Sequence, residues 1–196
     1  MSAPSSVNRP AFFKALCHFI ESSKSDESTV ALILIDIVNL SDINHSFGYS
    51  RGDKVLEFSF DQLVSISRLK DTVFRIGSRQ FVFILPAIKT PSFVALAMNK
   101  VVKVLQADAS YSSDTIEPNI KIGVALNKAG ALTAERTLQT AEKSLKNAKA
   151  NIGHFSIEKQ SVTQEKTNAY EQVFTEKLRN NDFELFYQPK RRFQLG

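Results

Sequence analysis

Tryptophan is absent from the 196 residues of this chain, and cysteine occurs once, as Cys17. A single cysteine cannot form an internal disulfide, so the fold does not use oxidation for its stability. Cys17 falls on the apolar face of a predicted N-terminal helix, where we expect a small buried hydrophobic side chain. In the absence of tryptophan, the 15 phenylalanines are most simply explained by core packing.

Long hydrophobic segments are also missing. The longest apolar run, Val30–Ile35, ends at Asp36 and is far shorter than the roughly 20 residues that a membrane-spanning helix needs. Met1–Arg9 carries no apolar stretch of the kind found in a signal peptide. We therefore expect a soluble, cytoplasmic chain without a membrane segment.

Several motifs of catalysis are absent as well. The sequence contains no GxxxxGK[ST] phosphate loop and no GxSxG serine motif. Its three histidines, His18, His45 and His154, lack the spacing of metal ligands. The formal net charge of +5 comes from lysines and arginines spread along the chain. That distribution is typical of a solvated surface, so we predict no nucleic-acid partner.

The hydrophobic fraction of 43% is ordinary for a compact globular domain with some extra length at its ends. Periodicity predicts an N-terminal helix over residues 8–22 and then the order β-α-α-β-β-α-β-α-β. The predicted strands are Val30–Val38, Asp71–Ile76, Gln80–Leu85 (ended by Pro86), Ile120–Asn127 and His154–Glu158. The predicted helices are Leu40–Phe47 (closed by Gly48), one capped by Asp53, Pro91–Gln106 (buried through Phe93 and Val101) and one capped by Thr133. This order indicates an α/β (α+β) class, with one central sheet covered by helices on one main face.

The end of the first strand is the most informative position in this scheme. A right-handed crossover is expected to set the second strand beside the first and parallel to it. Parallel neighbours end at the same edge of the sheet, so Asp36 is predicted to lie close to the hairpin Gly77-Ser78-Arg79.

The C-terminal part of the chain differs from the rest. Gln164–Asn180 reads as a connecting helix, and Phe183–Gln188 reads as a strand with nothing of its own to pair with. We interpret residues 1–160 as one domain, 161–181 as a linker and 182–196 as the truncated start of another domain.

Several separated segments resemble one known family in the right order. LILIDIVNLSDINHSFGYSRGDKVLEF, FRIGSRQFVFILP, IKIGVAL and TAEKSLKNAK are similar to the core of a GGDEF diguanylate cyclase domain, over about Ala11 to Glu158. FELFYQP is similar to the opening of an EAL cyclic di-GMP phosphodiesterase domain. The resemblance implies the palm-like central sheet of nucleotide cyclases, with helices packed around it.

The resemblance also implies a chemistry that this chain has lost. Family members condense two GTP molecules with metal ions held by acidic residues. The strand-one metal ligand is retained as Asp36, but the hairpin motif Gly-Gly-Asp/Glu-Glu-Phe reads Gly77-Ser78-Arg79-Gln80-Phe81. Asp36, Arg79 and Gln80 have a formal total of zero, where the family motif supplies −3. We predict no catalytic residues, no required cofactor, and magnesium binding that is weak or absent.

Two interpretations of Arg79 remain open. The arginine either forms an ion pair with Asp36 in a loop that has drifted, or it replaces the metal and contacts nucleotide phosphates. The family's guanine-binding positions match Asn44 and Asp53, which are otherwise a surface amide and a helix cap. Lys149 matches a phosphate-contacting lysine, whereas another such lysine is replaced by Ser41.

The sequence Arg68-Leu69-Lys70-Asp71 fits the family's RxxD inhibitory site for cyclic di-GMP. Arg68 offers a fork for phosphate or guanine, and Asp71 accepts from guanine N–H groups. The alternative is a salt-bridged corner between a helix and a strand.

The resemblance therefore implies a catalytically inactive regulatory module that senses GTP or cyclic di-GMP and controls a C-terminal EAL domain. A homodimer is also compatible with the resemblance. The alternatives are a nucleotide-independent dimerisation scaffold and, least favoured, an active cyclase.

Overall fold

A computed structural model of the chain describes residues 7–67, 72–90, 92–106, 110–111, 114–116, 118–150 and 155–158. Its helices are α1 (Arg9–Ser25), α2 (Leu40–Phe47), α3 (Tyr49–Ile66), α4 (Ser92–Gln106) and α5 (Ala134–Ala150). Its strands are β1 (Thr29–Ile37), β2 (Val73–Arg75), β3 (Gln80–Ile88), β4 (Ser110–Tyr111), β5 (Asp114–Thr115), β6 (Ile120–Lys128) and β7 (Phe155–Glu158). The predicted linker 161–181, the predicted EAL start 182–196 and the RxxD residues Arg68 and Asp71 lie outside the described residues.

The central sheet has the strand order β2-β3-β1-β6-β7. β1 is antiparallel to both of its neighbours, β3 and β6, and β7 is added parallel to β6. The two-residue strands β4 and β5 pair separately. The predicted α+β class is confirmed, and no helix among the described residues has the length and apolar character needed to cross a membrane.

The predicted neighbour of β1 is wrong. β3, and not β2, pairs with β1, so the strand parallel to β1 is one position further away. β2 has three residues and turns back directly into the nine-residue β3. The longer and more apolar strand takes the inner place because it covers the full length of β1. The crossover rule gave the right strand direction and the wrong adjacency.

Helices cover both faces of the sheet, which corrects the expectation of one main face. On one side, α1 and α5 pack on alternate residues of β1, through Phe12, Leu16 and Leu145. On the other side, α3 packs on β3, and the rings of Phe60 and Phe81 lie 6.5 Å apart. Every residue of β1 after Thr29 is buried, as its continuous aliphatic sequence requires.

The α2–α3 corner begins earlier than predicted. Gly48 ends α2 as expected, but α3 starts directly after it at Tyr49. Gly48 has a φ of 83°, a conformation that glycine adopts without the steric cost of a side chain. Asp53 therefore lies inside α3, and its predicted role as a helix cap is wrong.

Three further predictions require correction. β3 continues through Pro86 to Ile88, with Ala87 at a φ of 55° where the β1–β3 register shifts. In α4, Phe93 is 56% exposed, because the buried face runs through Val94, Ala95, Met98, Val101 and Leu105. Cys17 is exposed, since it follows the buried Leu16 by one residue and is turned about 100° away from it.

The turn between β6 and α5 is held by a closed polar network. Thr133 caps α5 as predicted, accepting a hydrogen bond from the Arg136 amide at 3.3 Å. The buried Asn127 donates to the Leu132 carbonyl at 2.8 Å and to the Thr137 hydroxyl at 3.0 Å. The Leu132 amide donates back to Asn127 Oδ1 at 3.1 Å. These bonds fix where α5 begins relative to the sheet.

Candidate functional site

Strand pairing brings the end of β1 to the hairpin between β2 and β3. Asp36 is the register partner of Gln80, and the Ile37 amide donates to the Arg79 carbonyl at 3.1 Å. The predicted proximity of Asp36 to the hairpin is therefore confirmed. It arises from antiparallel β1–β3 pairing, which sets the end of one strand beside the start of the other.

Asp36 contacts two cations. Arg79 Nε lies 2.9 Å from Asp36 Oδ1, and Lys149 Nζ contacts Asp36 Oδ2. The Asp36 side chain is fully buried, whereas those of Arg79 and Lys149 are 38% and 36% exposed. Neither carboxylate oxygen has an aligned hydrogen-bond donor among the described residues, so both are held by charge. We call Asp36, Arg79 and Lys149 the Asp36 cluster.

The cluster does not fit a divalent metal ion. One carboxylate, one guanidinium and one ammonium give a formal charge of +1, and each carboxylate oxygen already faces a cation. Hard cations such as Mg²⁺ bind oxygen ligands, including at least one carboxylate that is free to coordinate them. No group of three or more potential His, Cys, Asp or Glu ligands occurs within the described ranges. The arrangement favours an anion with several oxygens instead.

Arg75, at the end of β2, braces the hairpin loop. Its Nε donates to the Gly77 carbonyl at 3.1 Å, and its Nη2 donates to the Ser78 carbonyl at 2.6 Å. Burial lowers the pKa of Arg75 from its usual value, while the nearby Asp53 carboxylate acts in the opposite direction. Sequence reasoning missed this residue, although an arginine two residues before the loop glycine was a visible signal.

Asn44 and Asp53 lie on the two helices of the α2–α3 corner. The Asn44 side chain packs directly against Gly52, where a Cβ would collide with its Oδ1. That oxygen is buried and has no hydrogen-bond partner within the described part of the chain. Asp53 is exposed one residue further along α3. Arg75 connects this corner to the hairpin, because it interacts electrostatically with Asp53 and hydrogen-bonds the loop.

The remaining predicted positions lie around this site or outside the described residues. Ser78 is exposed in the hairpin loop, and Gln80 begins β3 with its side chain beside Gly77. Ser41 is exposed in the first turn of α2. The ion pair with Asp36, one of the two interpretations of Arg79, is present, and Lys149, matched only through the resemblance, joins it at Asp36.

Comparison with known proteins gives matches along most of the chain. Residues 7–154 match the family model described as diguanylate cyclase, GGDEF domain. Diguanylate cyclase A of Treponema denticola is 29% identical over 132 residues, which cover 67% of this chain and 36% of that protein. Cyclic di-GMP phosphodiesterase NbdA of Pseudomonas aeruginosa is 23% identical over 185 residues, 93% of this chain and 24% of that protein.

A solved structure shares the fold. The X-ray structure of an EAL/GGDEF domain protein from M. capsulatus superposes with a TM-score of 0.64 at 28% identity, covering 79% of this chain and 99% of that one. This chain spans about a quarter to a third of the length of the two relatives above. With the family model matched over residues 7–154, the chain belongs to the GGDEF family of diguanylate cyclase domains, the domains of cyclic di-GMP signalling.

Proposed function

We propose that this chain is a catalytically inactive GGDEF module that senses a guanine nucleotide, GTP or cyclic di-GMP, and regulates an EAL phosphodiesterase domain following it in the same polypeptide. The observation that carries the proposal is the Asp36 cluster, in which Arg79 and Lys149 occupy both oxygens of the retained metal-ligand carboxylate. Such a site repels the cation that cyclisation requires and attracts phosphate.

Loss of the metal argues against cyclase activity. A metal ion stabilises the charge that develops in phosphoryl transfer by several kcal/mol, and each ~1.4 kcal/mol changes the rate tenfold. Arg79 and Gln80 stand where the family motif has acidic residues, so the hairpin supplies no carboxylate for a metal ion. Cyclic di-GMP production is therefore expected to be negligible.

The α2–α3 corner supports retention of a guanine site. Guanine presents N–H donors on one edge, and these need oxygen acceptors. Asn44 Oδ1 is a buried acceptor without a partner among the described residues, and Asp53 adds an exposed carboxylate one residue after Gly52. A buried polar atom left unpaired costs about 1–3 kcal/mol, which binding of a donor would recover.

The proposed partner domain rests on the C-terminal segment. Phe183–Pro189 resembles the start of an EAL domain, and the match to NbdA, named as a phosphodiesterase, covers 93% of this chain. Regulation needs only that the nucleotide favours one state of the module by a few kcal/mol. In one form of this proposal the sensed nucleotide is cyclic di-GMP, the product of the family's cyclase reaction, and it binds at Arg68 and Asp71.

A nucleotide-independent dimerisation scaffold is the second candidate. Exposed apolar side chains favour it: Tyr49 is 79% exposed beside Phe47, and Phe93 and Leu96 are exposed on α4. Apolar side chains grouped on a surface mark interaction sites when they form a continuous patch.

Thermal-shift titration tests the proposal. The chain is heated with GTP and with cyclic di-GMP, each with and without magnesium. A ligand at ~100 times its dissociation constant adds about 2.7 kcal/mol to the folded state, which is readily measured. A shift with either nucleotide supports the sensor, whereas no shift with any of them leaves the scaffold.

Substitutions then locate the guanine site. Asn44→Ala and Asp53→Asn are expected to remove the shift given by GTP. Asp61→Asn is the matched control, because it removes the same exposed charge two turns further along α3. If GTP binding survives both substitutions, the assignment of the guanine site is wrong. Robust cyclic di-GMP production that Asp36→Ala abolishes would overturn the proposal of an inactive module.

A further inference from the structure

The Asp36 carboxylate lies where Arg79 and Lys149 together would hold a phosphate group. We infer that Arg79 and Lys149 form a metal-free polyphosphate site, and that Asp36 occupies this site as an internal competitor when no ligand is bound. The ligand class is a nucleoside triphosphate or another chain of linked phosphates. The inference deepens the proposed function and rests on it for the guanine part of the ligand.

The geometry of the cluster supports exchange of one anion for another. A guanidinium and an ammonium bind carboxylate and phosphate oxygens in the same way, through charged N–H donors. Asp36 is fixed on β1 and fully buried, so it cannot leave. The two cations are carried on long side chains that are 38% and 36% exposed, so they can turn from the carboxylate toward a ligand outside it.

The formal charge of the Asp36 cluster favours an anionic ligand. The cluster keeps a formal charge of +1 with Asp36 included, so an anion is attracted even before the carboxylate is released. Lys121 is the register partner of Asp36 on β6, which sets a third cationic residue on the same face of the sheet. Asp36 thus has Arg79 and Lys149 in contact with it and Lys121 opposite it on the neighbouring strand.

This role of Asp36 is the reverse of a metal ligand's role. Where a carboxylate holds the metal that holds the phosphate, its removal weakens nucleotide binding. Here its removal releases both cations and raises the formal charge of the cluster from +1 to +2. Asp36→Asn is expected to tighten polyphosphate binding at least about fivefold, the factor that one unit charge ~4 Å away contributes even in bulk water.

Magnesium is expected to act against binding. Mg²⁺ neutralises part of the charge on a polyphosphate, and the cluster has no oxygen ligands left to recruit the ion. The affinity of the wild-type chain for inorganic tripolyphosphate should therefore fall when magnesium is added. A metal-dependent site would respond in the opposite way.

The experiment measures dissociation constants by calorimetry for inorganic tripolyphosphate, GTP and cyclic di-GMP, with and without magnesium. The proteins are wild type, Asp36→Asn and the charge-matched control Asp61→Asn. We expect tighter binding of tripolyphosphate and GTP to Asp36→Asn only. Weaker binding to Asp36→Asn, an equal gain in the control, or affinity that magnesium increases would overturn the inference.

Two further outcomes separate this inference from the proposed function. If the wild type binds cyclic di-GMP but Asp36→Asn gains no affinity for tripolyphosphate, the inference is wrong and the sensor survives. If the wild type binds no nucleotide and Asp36→Asn binds tripolyphosphate, the inference holds and the proposed sensor fails. Should Asp36→Asn not fold, Arg79→Gln serves instead: it must weaken tripolyphosphate binding, and unchanged affinity overturns the inference.

Discussion

Two fully buried polar side chains lie at opposite ends of the central strand β1. Asn127 on β6 is the register partner of Val30 near the start of β1, and Asp36 lies one residue before its end. Asn127 is neutral and makes three hydrogen bonds to the turn that starts α5. Asp36 is a carboxylate whose contacts among the described residues are ion pairs, one of them to Lys149 in the last turn of α5.

The different partners of Asn127 and Asp36 indicate a structural role for the first residue and a binding role for the second. The partners of Asn127 are backbone groups and a buried threonine, which cannot be exchanged for a ligand without opening the turn. The partners of Asp36 reach it from the surface on flexible side chains. A closed neutral network fixes the fold, whereas a charged pair with accessible partners is suited to binding.

The largest effect is expected at the neutral end. Asn127→Ala removes three hydrogen bonds and takes away a hydrogen-bond partner of the partly buried Leu132 amide and carbonyl and of the buried Thr137 hydroxyl. We expect a loss of about 3 kcal/mol or more in the free energy of unfolding. Urea denaturation measures it, with the exposed Gln139→Ala on α5 as the control, expected to change stability by less than about 0.5 kcal/mol. A small loss in Asn127→Ala would contradict the closed network.

A smaller effect, with a different dependence on salt, is expected at the charged end. Arg79→Gln removes one of the two ion contacts that Asp36 makes in the described structure and keeps the contact with Lys149. We expect a loss of about 1–2 kcal/mol, less than for a fully buried pair, because Arg79 is partly exposed and one cation remains. High salt should reduce this loss and leave that of Asn127→Ala unchanged. Equal salt dependence in both variants would remove the distinction between the two ends.

Arg75→Lys tests whether the two Arg75 hydrogen bonds hold the hairpin loop in place. Lysine keeps the positive charge near Asp53 but cannot donate to both Gly77 and Ser78 from one planar group. We expect a loss of about 1 kcal/mol in stability and faster amide hydrogen exchange in the loop. Unchanged exchange would mean that backbone pairing alone holds the loop.

The smallest effect concerns an exposed carboxylate that serves as a contrast to Asp36. Ser28 lowers the pKa of Asp26 below its usual 3.8, through its nearby side chain and through its amide, which donates to Asp26 Oδ1 at 3.1 Å. Its stabilising effect is therefore present above pH 3.8 and is lost as the pH falls through the lower pKa of the folded state. Unfolding of Asp26→Asn and wild type should differ slightly at neutral pH and converge in acid. A constant difference would contradict the lowered pKa.

Local patterns in the sequence predicted most elements, because aliphatic runs and helical spacing depend on neighbouring residues. The predictions were wrong for the order of strands, for the residue at which α3 begins and for the buried face of α4. Contacts between residues distant in sequence decide these three features. The position of Asp36 beside the hairpin was predicted correctly, although the strand pairing from which it was predicted is wrong.

The site divides in the same way. The lost acidic residues at Ser78, Arg79 and Gln80 were readable directly from the hairpin motif. The convergence of Lys149 on Asp36 needs the whole of α5 to lie across β6, which no local pattern specifies. Arg75 was missed because its bonds go to backbone carbonyls, which a sequence does not display.

The contact between the N-terminal segment and β2 has a consequence for self-association. Val7 forms a parallel bridge with Arg75, and the Asn8 amide donates to the Arg75 carbonyl at 2.9 Å. Unpaired edge strands act as templates for strands of other molecules. β2 has only three residues, and its outer backbone is already engaged by its own chain. We therefore do not expect this edge to pair with a strand of a second molecule.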